Sequence, residues 1–357
     1  MEDRNTRLIV AYFEKTIDDD GLAELKEWLE SNEENQEVFS DTIQILSVSK
    51  GTLFQPVKQQ ENWERLKAHI AADSTLPETE LIANPVLINS ISPKPDYYAY
   101  RWLVAAFFLL IGGIATLFGY QQLKREPVQP AVYAQLSNPN GKHSRIMLPD
   151  SSVIHLGAGS KIRYEKSFSA RKREIYLDGE AFFEVTHNQT RPFIVKSGKV
   201  STVVLGTSFN VKAFAAKNKV SVTVSSGKVG VMGAIDGKTR LISYLLPDEQ
   251  LIIDTKTGES DKSTINADAA SGWRDNNFVY YNTSLKDIAS SLQRHYGVEF
   301  DFATAELSHI KLTAKFNNLS LQEVTDNLSQ LSGLSFQKQG KQIFISPFNG
   351  KRRTGMR

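Results

Sequence analysis

The chain has no cysteine among its 357 residues, which excludes a disulfide scaffold, a zinc ribbon, a thiol nucleophile and a Cys-ligated cluster together. It also lacks the local signatures of enzymes: no G-x-S-x-G elbow, H-E-x-x-H helix, Walker loop or dinucleotide fingerprint can be found. The six histidines, His69, His143, His155, His187, His295 and His309, fall at no metal-ligand spacing, so neither a metal nor a cofactor is expected. Gly and Pro are sparse, 22 and 12 residues, while 41% of the chain is apolar; a collagen-like or wholly disordered chain is excluded. Net charge is nearly absent, at +2.

That near-neutrality hides a split. Residues 1–72 carry 8 basic and 15 acidic side chains, or −7, and the remainder carries +9. The length predicts two or three domains. One long apolar run exists, residues 102–120, and it holds no charge. As a helix it would span roughly 28 Å, near the thickness of a bilayer core. With Tyr97, Tyr98, Tyr100 and Trp102 at one end and Tyr120 at the other, it reads as a transmembrane helix with aromatic belts. Lys94 and Arg101 before it balance Lys124 and Arg125 after it, so flanking charge sets no orientation.

Residues 1–72 show helical periodicity in four stripes: Leu8, Ile9, Tyr12, Phe13 and Ile17; Leu22, Leu25, Trp28 and Leu29; Val38, Phe39, Ile43 and Leu46; Trp63, Leu66 and Ile70. The spacing predicts four short amphipathic helices, and Asp18–20 supplies N-capping carboxylates for the second. Their acidic faces either mimic nucleic acid toward a basic protein or are simply solvated. Residues 73–101, with Pro77, Pro85, Pro93 and Pro95, and residues 121–142, with Pro127 and Pro130, read as linkers.

From 143 to 255 the period changes to two. Runs rich in β-branched and aromatic residues at 152–156, 161–164, 174–177, 181–185, 193–195, 200–205, 211–214, 220–224, 228–232 and 251–253 predict an all-β sandwich or solenoid-like domain. Asp178-Gly179, Ser197-Gly198, Ser226-Gly227 and Asp236-Gly237 are expected to make its tight turns. Residues 273–346 contain a repeat at a shift of 36: Tyr280 aligns with Phe316, Asn282 with Asn318, Ser284 with Ser320, Leu285 with Leu321, Asp287 with Glu323, Leu292 with Leu328 and Gly297 with Gly333. Each copy reads strand, capped helix, Gly C-cap, strand, which predicts a small α+β domain of two βαβ halves whose sheet edges could take a partner strand.

Several stretches carry a resemblance. Residues 148–153 (LPDSSV), 177–185 (LDGEAFFEV), 191–195 (RPFIV), 205–211 (LGTSFNV) and Trp273 resemble the FecR family of transmembrane anti-sigma factors, and the C-terminal segment is similar to the short N-terminal domain of secretins and TonB-dependent receptors. The family motif covers Asp178, Gly179, Glu180, Phe182, Phe183, Arg191, Pro192, Phe193, Phe209 and Asn210. Ser151 and Asp248 stand where the family usually has Gly, which leaves those two turns open to a different backbone geometry.

The resemblance implies a single-pass inner-membrane protein, N-terminus cytoplasmic and C-terminus periplasmic. It implies two partners: an extracytoplasmic-function sigma factor held by the helices, and the signalling domain of an outer-membrane TonB-dependent transducer, whose signal reaches transcription of uptake genes. Leu25, Trp28, Phe39 and Trp63 are candidate sigma contacts or, equally, core of the small bundle. Some family members are cut at a Gly-Thr bond, so Gly206-Thr207 is a candidate for self-cleavage by the Thr hydroxyl; a strand bulge with a packing threonine is the plainer alternative. A structural adaptor of the envelope and a membrane-anchored envelope enzyme are the competing function classes.

Overall fold

Three helices occupy the acidic segment: α1 (Glu2–Glu14), α2 (Asp19–Ser31) and α3 (Glu33–Ser49). Asp18 caps α2, its Oδ1 accepting from the Gly21 amide at 2.9 Å, and Ile9, Leu25, Leu29 and Phe39 are buried. The structure, a computed structural model, describes residues 2–49, 132–235 and 238–348. The chain divides into two compact units, residues 1–65 with 132–357 and residues 66–131. The second unit lies outside the described residues, as do the expected fourth helix and the apolar run 102–120.

Among the described residues no helix is long and apolar enough to cross a membrane. The expected fold class, a membrane protein with one transmembrane helix, is therefore corrected to a helical segment, a large mostly β region and an α+β unit. A charge-free apolar run with aromatic residues at its ends does not by itself establish a helix.

Thirteen strands form the β-domain: β1 (Tyr133–Ser137), β2 (Ser144–Met147), β3 (Val153–Leu156), β4 (Lys161–Glu165), β5 (Arg173–Glu184), β6 (Phe193–Ser197), β7 (Val200–Val204), β8 (Ser208–Ala213), β9 (Lys219–Ser226), β10 (Val229–Ile235), β11 (Lys238–Leu245), β12 (Glu249–Asp254) and β13 (Ser260–Thr264). β5 belongs to two layers. Its first half pairs with β4 and β6 and its second half with β3 and β8. The chain bends at Gly179, whose φ is +122°; a Cβ there would lie 2.4 Å from the Ser160 Cβ. Asp178-Gly179 is thus a corner within one strand and not the expected tight turn, and the strands expected at 174–177 and 181–185 are one. Gly198 and Gly227 do sit between strands with positive φ, 63° and 79°, while Asp236-Gly237 lies outside the described residues.

Between the layers lies a core containing Ile154, Leu156, Ile162, Ile175, Phe183, Phe193, Phe209, Val211 and Val222. Ser151 and Asp248 adopt φ of 67° and 63°. The two positions keep the left-handed geometry for which glycine is the usual choice, at a backbone cost. On the outer face, α3 lies across β10 and β11, where Ile45 joins Ile194, Val203, Met232 and Tyr244.

A short helix, α4 (Ala267–Ser271), leads to the C-terminal unit: β14 (Asn277–Ser284), α5 (Leu285–Tyr296), β15 (Glu299–Phe302), β16 (Lys311–Asn317), α6 (Leu321–Ser332), β17 (Leu334–Gln339) and β18 (Gln342–Pro347). The repeat reappears in the backbone: Asn282 and Asn318 have φ of 45° and 48°, and Gly297 and Gly333 of 69° and 70°. Ser320 and Glu323 form a full capping box. In the first copy Asp287, one methylene shorter, bonds the Ser284 hydroxyl at 2.7 Å. The two copies do not close as βαβ halves. β14 pairs antiparallel with its equivalent β16, while β15 and β17 flank β18, parallel and antiparallel respectively. Pairing equivalent strands across a pseudo-symmetric unit buries both helices' apolar faces against one core, which two separate halves could not do.

Candidate functional site

The family motif on β5 has two faces, because successive side chains of a strand point to opposite sides. Phe183 enters the sandwich core, stacked on Phe209 (5.0 Å between ring centres, 16° between planes) and edge-on to Phe193 at 6.1 Å. Phe182, its neighbour, belongs to the core of the C-terminal unit with Trp273, Phe278 and Tyr280. Arg274 places its guanidinium carbon 3.7 Å from the Phe182 ring centre. Glu180 accepts from Asn210 Nδ2 at 3.2 Å and pairs with Lys212 at 3.2 Å, while Asn210 Oδ1 accepts from the Trp273 indole at 3.2 Å. The motif therefore builds a seam that joins the β-domain to the C-terminal unit.

At the rims of that seam, Lys217 pairs with Asp287 at 2.8 Å, and Glu184 lies 3.7 Å from both Arg274 and His155. The Arg294 guanidinium sits over the Phe214 ring at 4.1 Å. Asp178 accepts from the Ala215 amide at 3.0 Å, fixing the loop that carries Lys217.

Arg173, which the motif reading does not include, ties the remaining motif stretches together. Its side chain is 1% exposed and pairs with Asp150 at 2.7 Å. It also donates to the carbonyls of Arg191 (2.8 Å), Thr186 (2.8 Å) and Leu205 (3.3 Å), and its ring contact with Phe193 is 5.3 Å. Three loops and the LPDSS turn so converge on one guanidinium. Burial pulls the Arg173 charge below its ordinary range and the Asp150 carboxylate opposes that pull. Arg191 and Pro192 contribute main chain here: the Pro192 carbonyl accepts from the Arg173 amide at 2.9 Å.

Gly206 and Thr207 pack between two loops. A Cβ on Gly206 would lie 2.5 Å from the His187 Cα, so close backbone approach alone requires glycine there. Thr207 is buried. Its hydroxyl donates to the Lys228 carbonyl at 2.9 Å, which is a structural use of the group proposed as nucleophile.

Among the candidate sigma contacts, Leu25 and Phe39 lie inside the helical bundle, with Phe39 5.6 Å from the Tyr12 ring. Trp28 is half-buried. With Val10, Val38, Leu241 and Tyr244 it lines a groove of about 860 Å³ whose helical walls include Glu14 and Glu34. Trp63 lies outside the described residues. Among the described residues no cluster could hold a metal ion.

The sequence model of the FecR protein family matches residues 134–230, and that of the FecR C-terminal region matches residues 277–345. Two crystal structures of a candidate anti-sigma factor from Parabacteroides distasonis ATCC 8503, at 2.50 and 1.65 Å resolution, are similar with 29% identity and a TM-score of 0.56. They cover 61% and 60% of this chain and 100% of their own. No curated protein matches. FecR-family anti-sigma factors are regulators and not enzymes. With both family regions matched in order, the chain belongs to the FecR family of anti-sigma factors.

Proposed function

We propose that α1–α3 hold an extracytoplasmic-function sigma factor, and the observation that carries this reading is the groove beside Trp28. Its lining combines Trp28, Val10 and Val38 with Arg7, Glu14 and Glu34 from the helices and Lys228 and Lys262 from the β-domain, while the helical segment as a whole is acidic. Complementary charge speeds and orients the encounter with a basic partner, and a half-buried Trp in a concave site is a favourable anchor. Leu25 and Phe39 act indirectly in this reading, by holding in place the helices that carry Trp28. Trp28→Ala is expected to weaken binding of a sigma factor of this class from the same genome about 30-fold, the equivalent of roughly 2 kcal/mol. An unchanged Kd by isothermal titration, with helix content preserved, would remove the groove from the interface.

The second proposed partner is the signalling domain of a TonB-dependent outer-membrane transducer, whose arrival frees or activates the sigma factor for transcription of uptake genes. β14 and β16 form a two-stranded sheet, so each has a main-chain edge facing away from the other. Tyr281, 83% exposed, and Val279, 47% exposed, stand on its outer face. An added strand gains main-chain hydrogen bonds and side-chain contacts at such an edge. Tyr281→Lys is expected to weaken the signalling domain's binding about tenfold; equal affinities by biolayer interferometry would place that partner elsewhere.

A further inference from the structure

Two histidines from different parts of the chain meet in the seam. His143 precedes β2 in the β-domain, and His295 lies in the last turn of α5. Their ring centres are 4.8 Å apart. Trp273 stacks on His143 (5.6 Å, 25°), and Phe278 and Tyr296 meet His295 edge-on at 4.7 and 4.8 Å. The contact is held by main chain as well, since the Gly141 amide donates to the Arg294 carbonyl at 2.7 Å. His295 Nδ1 is buried without a hydrogen-bond partner.

We propose that this imidazole pair makes the seam an acid-sensitive latch: neutral rings close the C-terminal unit onto the β-domain, and protonated rings part them. Two adjacent cations in an aromatic pocket would repel one another and lose their hydration. The charged and titratable groups around the pair offer little compensation. Glu180 on β5 is engaged by Lys212 and Asn210, and Arg294 on α5 adds positive charge. Tyr280 and Tyr296 are neutral phenols whose burial raises them further. At the rims, Asp287 is taken by Lys217, and Glu184 by Arg274 and His155.

Burial lowers His143, with Glu180 opposing, and burial followed by His143 lowers His295 to about 4. Both groups are thus depressed when the seam is closed and return to about 6.5 when it opens. Closure is unaffected above pH about 6.5 and weakens as the pH falls toward 4, by at most about 100-fold per pH unit when both rings take a proton. Asp287 titrates lower still, because Lys217 and Ser284 hold its carboxyl below its ordinary range. His155 is also lowered, its burial outweighing the opposing Glu184, so its protonation adds in the same direction as the pair's.

The absence of native cysteine allows a direct test on the full chain. Spin labels on Lys161→Cys and Lys338→Cys, both exposed and one on each side of the seam, report the distance by electron double resonance from pH 7.5 to 4. A single narrow distribution is expected at pH 7.5, with a broad second population whose midpoint lies between pH 6.5 and 4. His143→Gln with His295→Phe is expected to keep the narrow distribution throughout; should that double variant not close at pH 7.5, His295→Phe alone is expected to lower the midpoint by at least about half a pH unit. A wild-type seam that stays closed to pH 4, or opens at the same pH as the variants, overturns the latch.

Discussion

Arg173→Met is expected to lower the stability of the β-domain by about 3–5 kcal/mol, because removing one partner of a buried ion pair strands the other charge. Asp150 is left with a side chain only 7% exposed, and the carbonyls of Thr186, Arg191 and Leu205 lose a donor. Methionine restores the volume but none of the hydrogen bonds. Against a total stability of about 5–15 kcal/mol, the loss is large enough to read in urea unfolding followed by circular dichroism. Asp150→Asn added to Arg173→Met should cost less than the sum of the single changes, since the charge stranded by the first is removed by the second. A single-variant loss under about 1 kcal/mol would mean that water replaces the guanidinium, and that the three loops are fixed by other contacts.

Why this residue escapes a sequence reading is instructive. Arg173 sits in the run Arg171-Lys172-Arg173-Glu174, which looks like solvated charge, and its partners lie 13 to 32 residues away. Nothing local marks one of these three basic residues as buried. The same holds for His143 and His295, which touch only because α5 docks on the loop before β2. Elements with strong alternation were legible: the cores of β3, β4, β6, β7, β9 and β12 coincide with apolar runs. β1, within the segment expected as a linker, β2, β11 and β13 were not, because β1 and β13 are largely exposed and pair through main chain, which hydropathy does not record. Asp178-Gly179 misled for a related reason. Positive φ is needed at a turn and at a sharp corner inside a strand alike, and only the Ser160 side chain packed against Gly179 tells them apart. The repeat was legible in its caps because Asn, Ser and Gly at a fixed offset encode local backbone, whereas strand partners depend on contacts far along the chain.

The adjacent phenylalanines of the motif offer the sharpest separation of the two bodies joined at the seam. Phe183→Ala is expected to destabilise the β-domain by about 3–5 kcal/mol, the usual cost of deleting a buried aromatic, since its ring meets both Phe209 and Phe193. Phe182→Ala removes a ring of the same size one residue earlier, but that ring belongs to the core shared with Trp273, Phe278 and Tyr280 and carries the Arg274 stack. Its loss should leave the sandwich core intact and loosen the C-terminal unit. Amide hydrogen exchange distinguishes the two, because local opening is reported residue by residue. Phe182→Ala should speed exchange in α5 and β14 by more than tenfold with β7 and β9 little changed, and Phe183→Ala should do the reverse. If both substitutions accelerated the same amides, β5 would not divide its faces between two cores, and the seam would have to be regarded as part of one continuous core.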